Sequence, residues 1–137
     1  MAGQAYIGNR NERQVAMQTT DHDLLLKRLV RDLQLLGAKS IRADIEGFQK
    51  PTKIVWTRTQ EGHIPDASAT VNGSKTIFEV ETCDTLFSDH TESQLKLFGA
   101  YSKQQGVSCF IVVPAACHIL ACLQVWKLKV AIQVVSY

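Results

Sequence analysis

Between Asp21 and Leu36 apolar side chains recur at Leu25, Leu29, Leu33 and Leu36, with Leu26 and Val30 alongside. This three-to-four spacing predicts an amphipathic helix, with Thr20 or Asp21 able to cap its start and Gly37 its end. The period then changes to two. Across 40–47, Ile41, Ala43 and Ile45 alternate with Arg42, Asp44 and Glu46, the mark of a half-buried strand. A second extended piece at 53–58 follows Pro51. Residues 63–82 read as two strands around Asn72-Gly73, the strongest short-range signal for a two-residue turn that accepts positive φ.

Asp89 and Glu92 have the spacing of a capping box for a helix that runs to Gly106. "VSCFIVVP", at 107–114, is apolar without alternation, which predicts a strand covered on both faces, as parallel strands are. A helix over 115–126 and a last strand over 129–137 complete the order: helix, about three strands, helix, strand, helix, strand. That order predicts an α/β fold, a mixed sheet flanked by helices. Residues 1–20 carry little periodicity and read as a loose arm or a short helix.

A chain of 137 residues, 45% hydrophobic and 20% charged, has the size and composition of one globular domain and not of a disordered segment. Its net charge of +2 is too mild to announce a nucleic-acid binder, although an average can hide a basic face. Residues 107–126 lack charge over nearly the length of a bilayer span, but Pro114 divides them, and a buried strand followed by a packed helix is the better reading. No basic-then-apolar leader opens the chain. Cys83, Cys109, Cys117 and Cys122 sit in or beside apolar runs without the paired spacing of a zinc ribbon, so buried free thiols in a reducing, cytoplasmic setting are expected. Cys117, His118 and Cys122 lack the second ligand pair that a zinc site needs.

The chemistry concentrates on the hairpin. If Val71 and Ser74 close the turn, opposed residues sum to 145 and Asp66 faces Glu79. Alternation then puts Asp66, Glu79 and Glu81 on one face, the opposed pair ~5 Å apart at Cβ. The other face reads Ala67, Ala69, Val71, Phe78 and Val80, suited to packing under a helix. Clustered carboxylates repel unless protons or a cation neutralise them. Oxygen ligands without a thiol or a close histidine suit Mg²⁺ or Mn²⁺. The alternative is an edge hairpin that displays its acids to solvent for solubility.

Pro65-Asp66, the hairpin and Glu79-Val80-Glu81 resemble the signature of the PD-(D/E)xK nuclease superfamily, the restriction-endonuclease-like fold that includes Holliday-junction resolvases. The resemblance covers most of the chain and implies a restriction-endonuclease-like core, αβββαβ, followed by a C-terminal αβ. It implies metal-dependent hydrolysis of DNA phosphodiester bonds in repair, recombination or mobile-element processing. Asp66, Glu79 and the Val80 carbonyl would ligate Mg²⁺ or Mn²⁺. Glu81 stands where the pattern has lysine, which leaves two readings: an active E-x-E variant, or an inactive module that binds nucleic acid or a protein.

At 100° per residue, Gln94 shares a face of its helix with Leu97, Phe98 and Tyr101 and turns toward the sheet, whereas Glu92, Lys96 and Lys103 lie opposite. A helical Gln or Lys approaches the site in several relatives, so Gln94 is a catalytic candidate. The family often adds an acid from its first helix, which here would be Glu12 or Asp23. Lys53, Arg58 and Lys75 are candidates for the DNA backbone. Cutting both strands of a symmetrical substrate would call for two sites and hence a homodimer.

Overall fold

The computed structural model describes residues 21–137. The described part of the first helix (α1) covers 21–35. Strand β1 (Lys39–Ala43) follows, then β2 (Ile54–Val55) and β3 (Gly62–His63), the hairpin β4 (Ala67–Val71) and β5 (Ser74–Val80), and helix α2 (Asp89–Gln105). Strand β6 (Ser108–Val113), a 3₁₀ turn (Ala115–Cys117), helix α3 (His118–Leu128) and β7 (Gln133–Ser136) complete the chain. The main sheet runs β1-β4-β5-β6-β7. Its β1, β4 and β5 are antiparallel neighbours, whereas β5, β6 and β7 are parallel. The protein is thus mixed α/β, with helices on both faces of the sheet.

The hydrophobic pattern explains the layers. Leu26, Leu29, Val30 and Leu33 of α1 are buried against Ala43, Ala67, Ala69, Phe78, Val80 and Val112 on one face of the sheet. Ile77, Cys109, Ile111 and Val113 on the other face pack with Leu95 and Phe98 of α2 and Ala121 of α3. A strand with partners on both sides and helices above and below must be apolar throughout, which accounts for "SCFIVV" in β6. Pro114 ends that strand, and among the described residues no helix is long and apolar enough to cross a membrane.

Several expectations need correction. Leu36 lies beyond α1 and is exposed, because the chain leaves the helix at Gly37, whose φ of 76° is the left-handed cap conformation. The piece at 53–58 does not join the main sheet. Only Ile54 and Val55 are strand, and they pair with Gly62 and His63 as a separate ribbon. The α2 cap is Ser88, whose hydroxyl accepts from the Thr91 N–H at 3.1 Å, so Asp89 and Glu92 fall in the first turn and form no capping box. Glu92 instead pairs with Lys96 at 2.9 Å, one helical turn on.

The thiols also depart from expectation. Cys83 and Cys117 are joined by a disulfide with Cα atoms 5.6 Å apart. It ties the loop after β5 to the turn after β6. Of the two free cysteines, Cys109 is buried and Cys122 exposed, 3.6 Å from His118 Nε2. Apolar neighbours in sequence signalled burial but not that two loops would meet.

Candidate active site

The hairpin register is the one its turn residues dictate. Asn72 and Gly73 have φ of 49° and 79°, as a two-residue loop requires, and Val71 pairs with Ser74 and Ala67 with Phe78. Asp66 therefore sits across from Glu79, one residue beyond the β4 ladder. Its carboxylate takes over the missing strand's role, accepting the Val80 N–H at 2.7 Å, while the Asp66 N–H donates to Glu79 Oε2 at 3.4 Å. Two side-chain contacts extend the hairpin where backbone pairing stops.

Glu79 and Glu81 leave the same face of β5, which lies at the centre of the sheet, and are only 3% and 6% exposed. That burial overturns the reading of a solvent-displayed edge hairpin. With Asp66 they line a cleft of about 540 Å³ to which α1 contributes His22 and α2 contributes His90, Thr91 and Gln94. The face assignment for α2 puts Gln94 here, 8% exposed, with its Oε1 buried and without a hydrogen-bond partner among the described residues.

Each charge in the cleft has an identifiable counterweight. Burial holds the Glu79 carboxyl well above the ordinary carboxylate range, and the nearby Asp66 charge raises it further, so the fold favours its protonated form. Burial also raises Glu81, opposed by hydroxyls of Thr85 and Thr91 that hydrogen-bond its carboxylate. Thr85 Oγ1 donates to Glu81 Oε2 at 2.5 Å. His22 Nε2 donates to Asp66 Oδ2 at 3.2 Å, and that bond pushes the imidazole up from 6.5 to about 9 despite its partial burial.

The positions of the remaining candidates differ. Asp23 does not line the cleft. It is half-exposed and touches only the far nitrogen of His22, at 3.8 Å, because one step along a helix turns a side chain by about 100°. Glu12 lies outside the described residues. Lys53 and Lys75 line a second groove, on the hairpin face toward its turn, whereas Arg58 stands exposed in the β2–β3 connection and does not line that groove. His22 is the cleft residue that sequence reasoning missed, and it brings a close histidine where none was expected. Its only signal was a place between Asp21 and Asp23 at a helix start; nothing in the pattern relates it to Asp66, 44 positions away.

The donor set suits a hard divalent cation in kind. Asp66 and Glu79 are adjacent carboxylates, Val80 borders the cleft where its backbone has left the β4 ladder, and the orphaned Gln94 Oε1 calls for a donor such as an ion-bound water. Among the described residues, no three of the His, Cys, Asp and Glu side chains converge as a complete ligand group. Two carboxylates with solvent or substrate oxygens are the usual way of holding Mg²⁺, which seldom has an all-protein cage. Comparison with protein-family models, with curated proteins and with solved structures finds no match for this chain.

Proposed function

We propose that this protein is a divalent-metal-dependent nuclease of the restriction-endonuclease-like fold, acting on DNA. The observation that carries the reading is that Asp66 and Glu79 lie side by side in a cleft also lined by Glu81 and by Gln94, whose oxygen has no partner among the described residues. The order of elements gives further support: a helix, an antiparallel trio of main-sheet strands, a crossover helix and a parallel strand, as the PD-(D/E)xK resemblance implies.

Asp66, Glu79 and the Val80 carbonyl would hold Mg²⁺ or Mn²⁺, which when bound polarises a phosphate and lowers the pKa of water. Glu81, fixed by Thr85, is placed to accept a proton from water entering the cleft, and its raised pKa brings it nearer the working range of a general base. Gln94 would orient that water through its free oxygen. His22 holds Asp66 in place through Oδ2.

The test is cleavage of linear, branched and single-stranded DNA with Mg²⁺ or Mn²⁺. Activity should vanish in Asp66→Asn and Glu79→Gln; activity surviving both substitutions would defeat the reading. Two observations favour the second reading, a module that binds without cutting: His22 already occupies one Asp66 oxygen, and Glu81 replaces the pattern's lysine. DNA affinity without cleavage under any divalent cation would select it.

A second copy of the chain is the partner we propose for α3. Ile119, Leu123 and Trp126 form one helical stripe, 74%, 51% and 78% exposed, with Leu120 beside it. Trp126, at the end of the stripe, borders an apolar hollow of about 820 Å³ between α3 and β7, so each copy offers both a protruding Trp126 and a recess. Such a face is self-complementary under a two-fold axis. With about 200 Å² for Trp126 and roughly as much again for the three aliphatics, the stripe supplies about half of the ~800 Å² that a stable interface takes from each partner. The hollow and the free edge of β7 supply the remainder.

A further inference from the structure

A groove of about 500 Å³ lies on the hairpin face that carries Asp66 and Glu79, displaced toward the Asn72-Gly73 turn. The strand register builds its floor. Arg42 pairs with Ser68, and Thr70 with Lys75. Residues 66, 68 and 70 of the hairpin's first arm share a face with 75, 77 and 79 of the second. Arg42 and Lys75 therefore rise from the same face on either side of β4, two strand spacings across and two residues along, or about 12 Å apart. Lys53 enters from the segment before β2, and Tyr101 from α2, where its hydroxyl meets Lys75 Nζ at 3.2 Å.

Among the described residues no acidic side chain lines this groove. The ion pairs among the described residues are His22 with Asp23 and Asp66, Lys50 with Asp44, and Lys96 with Glu92. None of them uses Arg42, Lys53 or Lys75. Three cations of one sign thus gather in a concave site floored by the hydroxyls of Ser68 and Thr70, an arrangement that costs energy through mutual repulsion and that a polyanion relieves. We propose that this groove binds the phosphodiester backbone of nucleic acid through Arg42, Lys53 and Lys75. The proposal rests on the reading of the chain as a protein that acts on DNA, and deepens it by assigning the backbone a path. Successive phosphates of one strand advance about 3.4 Å along a duplex, so a span of about 12 Å covers three or four of them. From Ser68 back to Asp66 is two residues, about 7 Å, so the groove and the acidic cleft lie on the same face of the sheet. Cations and hydroxyls grip phosphate and read no base edges, so binding is independent of sequence.

The experiment measures anisotropy of a labelled 30-nucleotide DNA, single-stranded and duplex, with the full chain in EDTA across a salt series. Wild type should bind with an affinity that falls linearly in log salt. The double variant Arg42→Ala, Lys75→Ala should bind at least about tenfold more weakly, with the duplex slope reduced by about 1.8, or about 0.9 for each phosphate no longer neutralised. Lys27→Ala on α1, on the opposite face of the sheet, should change affinity less than about twofold. Lys53→Glu, in an exposed loop outside any strand pairing, gives the same readout should the double variant lose its circular dichroism spectrum. Wild type without salt-dependent DNA binding overturns the proposal, even if it captures an acidic protein, as does DNA binding that neither the double variant nor Lys53→Glu weakens. Because EDTA removes cleavage from this assay, salt-dependent binding lost in these variants without Mg²⁺-dependent cutting would sink the nuclease reading and leave the groove standing.

Discussion

Asp66→Asn should release His22 from its elevated titration. The imidazole is held at about 9 first by its hydrogen bond to Asp66, against the opposing pull of burial, and then by the charges of Asp66, Glu81 and Asp23. The substitution keeps the side-chain shape and an oxygen for the Val80 N–H, but removes the leading cause. His22 should then titrate near its ordinary 6.5. At about 1.36 kcal/mol per pH unit, the gap between 6.5 and about 9 corresponds to about 3 kcal/mol of preferential interaction with the protonated ring. The His22 side chain is 39% exposed, so solvent screening leaves about 1–2 kcal/mol of this as folding stability. Because the folded value is raised, that contribution is complete below pH 6.5 and is lost as pH rises through about 9. The variant should therefore be less stable than wild type by about 1–2 kcal/mol at pH 7. Near pH 10 the gap should close or reverse, since loss of the Asp66 charge also relieves Glu79 once that group ionises. Histidine ring NMR titrations and urea denaturation at the two pH values measure both effects. A wild-type His22 that titrates near 6.5, or a variant that keeps the high midpoint, would refute the reasoning.

Three further outcomes follow from other parts of the molecule. The Cys83–Cys117 disulfide spans 34 positions, so reduction or Cys83→Ser should lower the unfolding free energy by about 4 kcal/mol through the freed unfolded chain; a loss below about 1 kcal/mol in guanidinium titrations contradicts this. Glu79 and Glu81 both have folded values raised above 4.5, so the fold favours their protons and wild type should lose stability as pH climbs from there through those values. Glu79→Gln should flatten that decline, and an unchanged pH–stability slope would count against it. Sedimentation at tens of micromolar should give a species of twice the 15.2 kDa chain mass that Trp126→Glu or Ile119→Glu reduces to one copy; a monomeric wild type ends the two-fold proposal for α3.

Local patterns carried the elements well because their causes are local. The α1 stripe, the Asn72-Gly73 turn and the unbroken apolar run of β6 each reflect one period or one backbone conformation, and the sheet follows from connecting them. The failures involve choices made over distance. Ile54 and Val55 have strand-forming side chains, yet they pair with Gly62 and His63, because a short connection closes that ribbon before the chain can reach the main sheet. Ser88 outcompeted Asp89 for the α2 cap within a run of polar residues where either spacing satisfied the pattern. At the site, the hairpin acids could be placed because register is arithmetic once the turn is known. His22 and the Cys83–Cys117 pair could not, since tertiary packing alone brings them to their partners.

The charge balance of the cleft connects these legible and illegible parts. Three carboxylates line one cleft, and each is accommodated by a different means: Asp66 by its hydrogen bond from His22, Glu81 by the hydroxyls of Thr85 and Thr91, Glu79 by burial that favours its protonated form. In the lysine-bearing pattern a positive charge would stand on β5 itself, two positions after Glu79. Here it arrives from α1, which packs on the opposite face of the sheet and reaches Asp66 past the end of β4. On the proposed reading, a divalent ion settling between Asp66 and Glu79 would displace the proton that burial favours on Glu79 and would approach Asp66 beside the Oδ2 that His22 holds. Ion affinity is then tied to proton release and rises with pH. On the proposed metal reading, such a site would bind its ion weakly when acidified and more tightly on the alkaline side, because the burial that hides Glu79 from solvent also favours its protonated form.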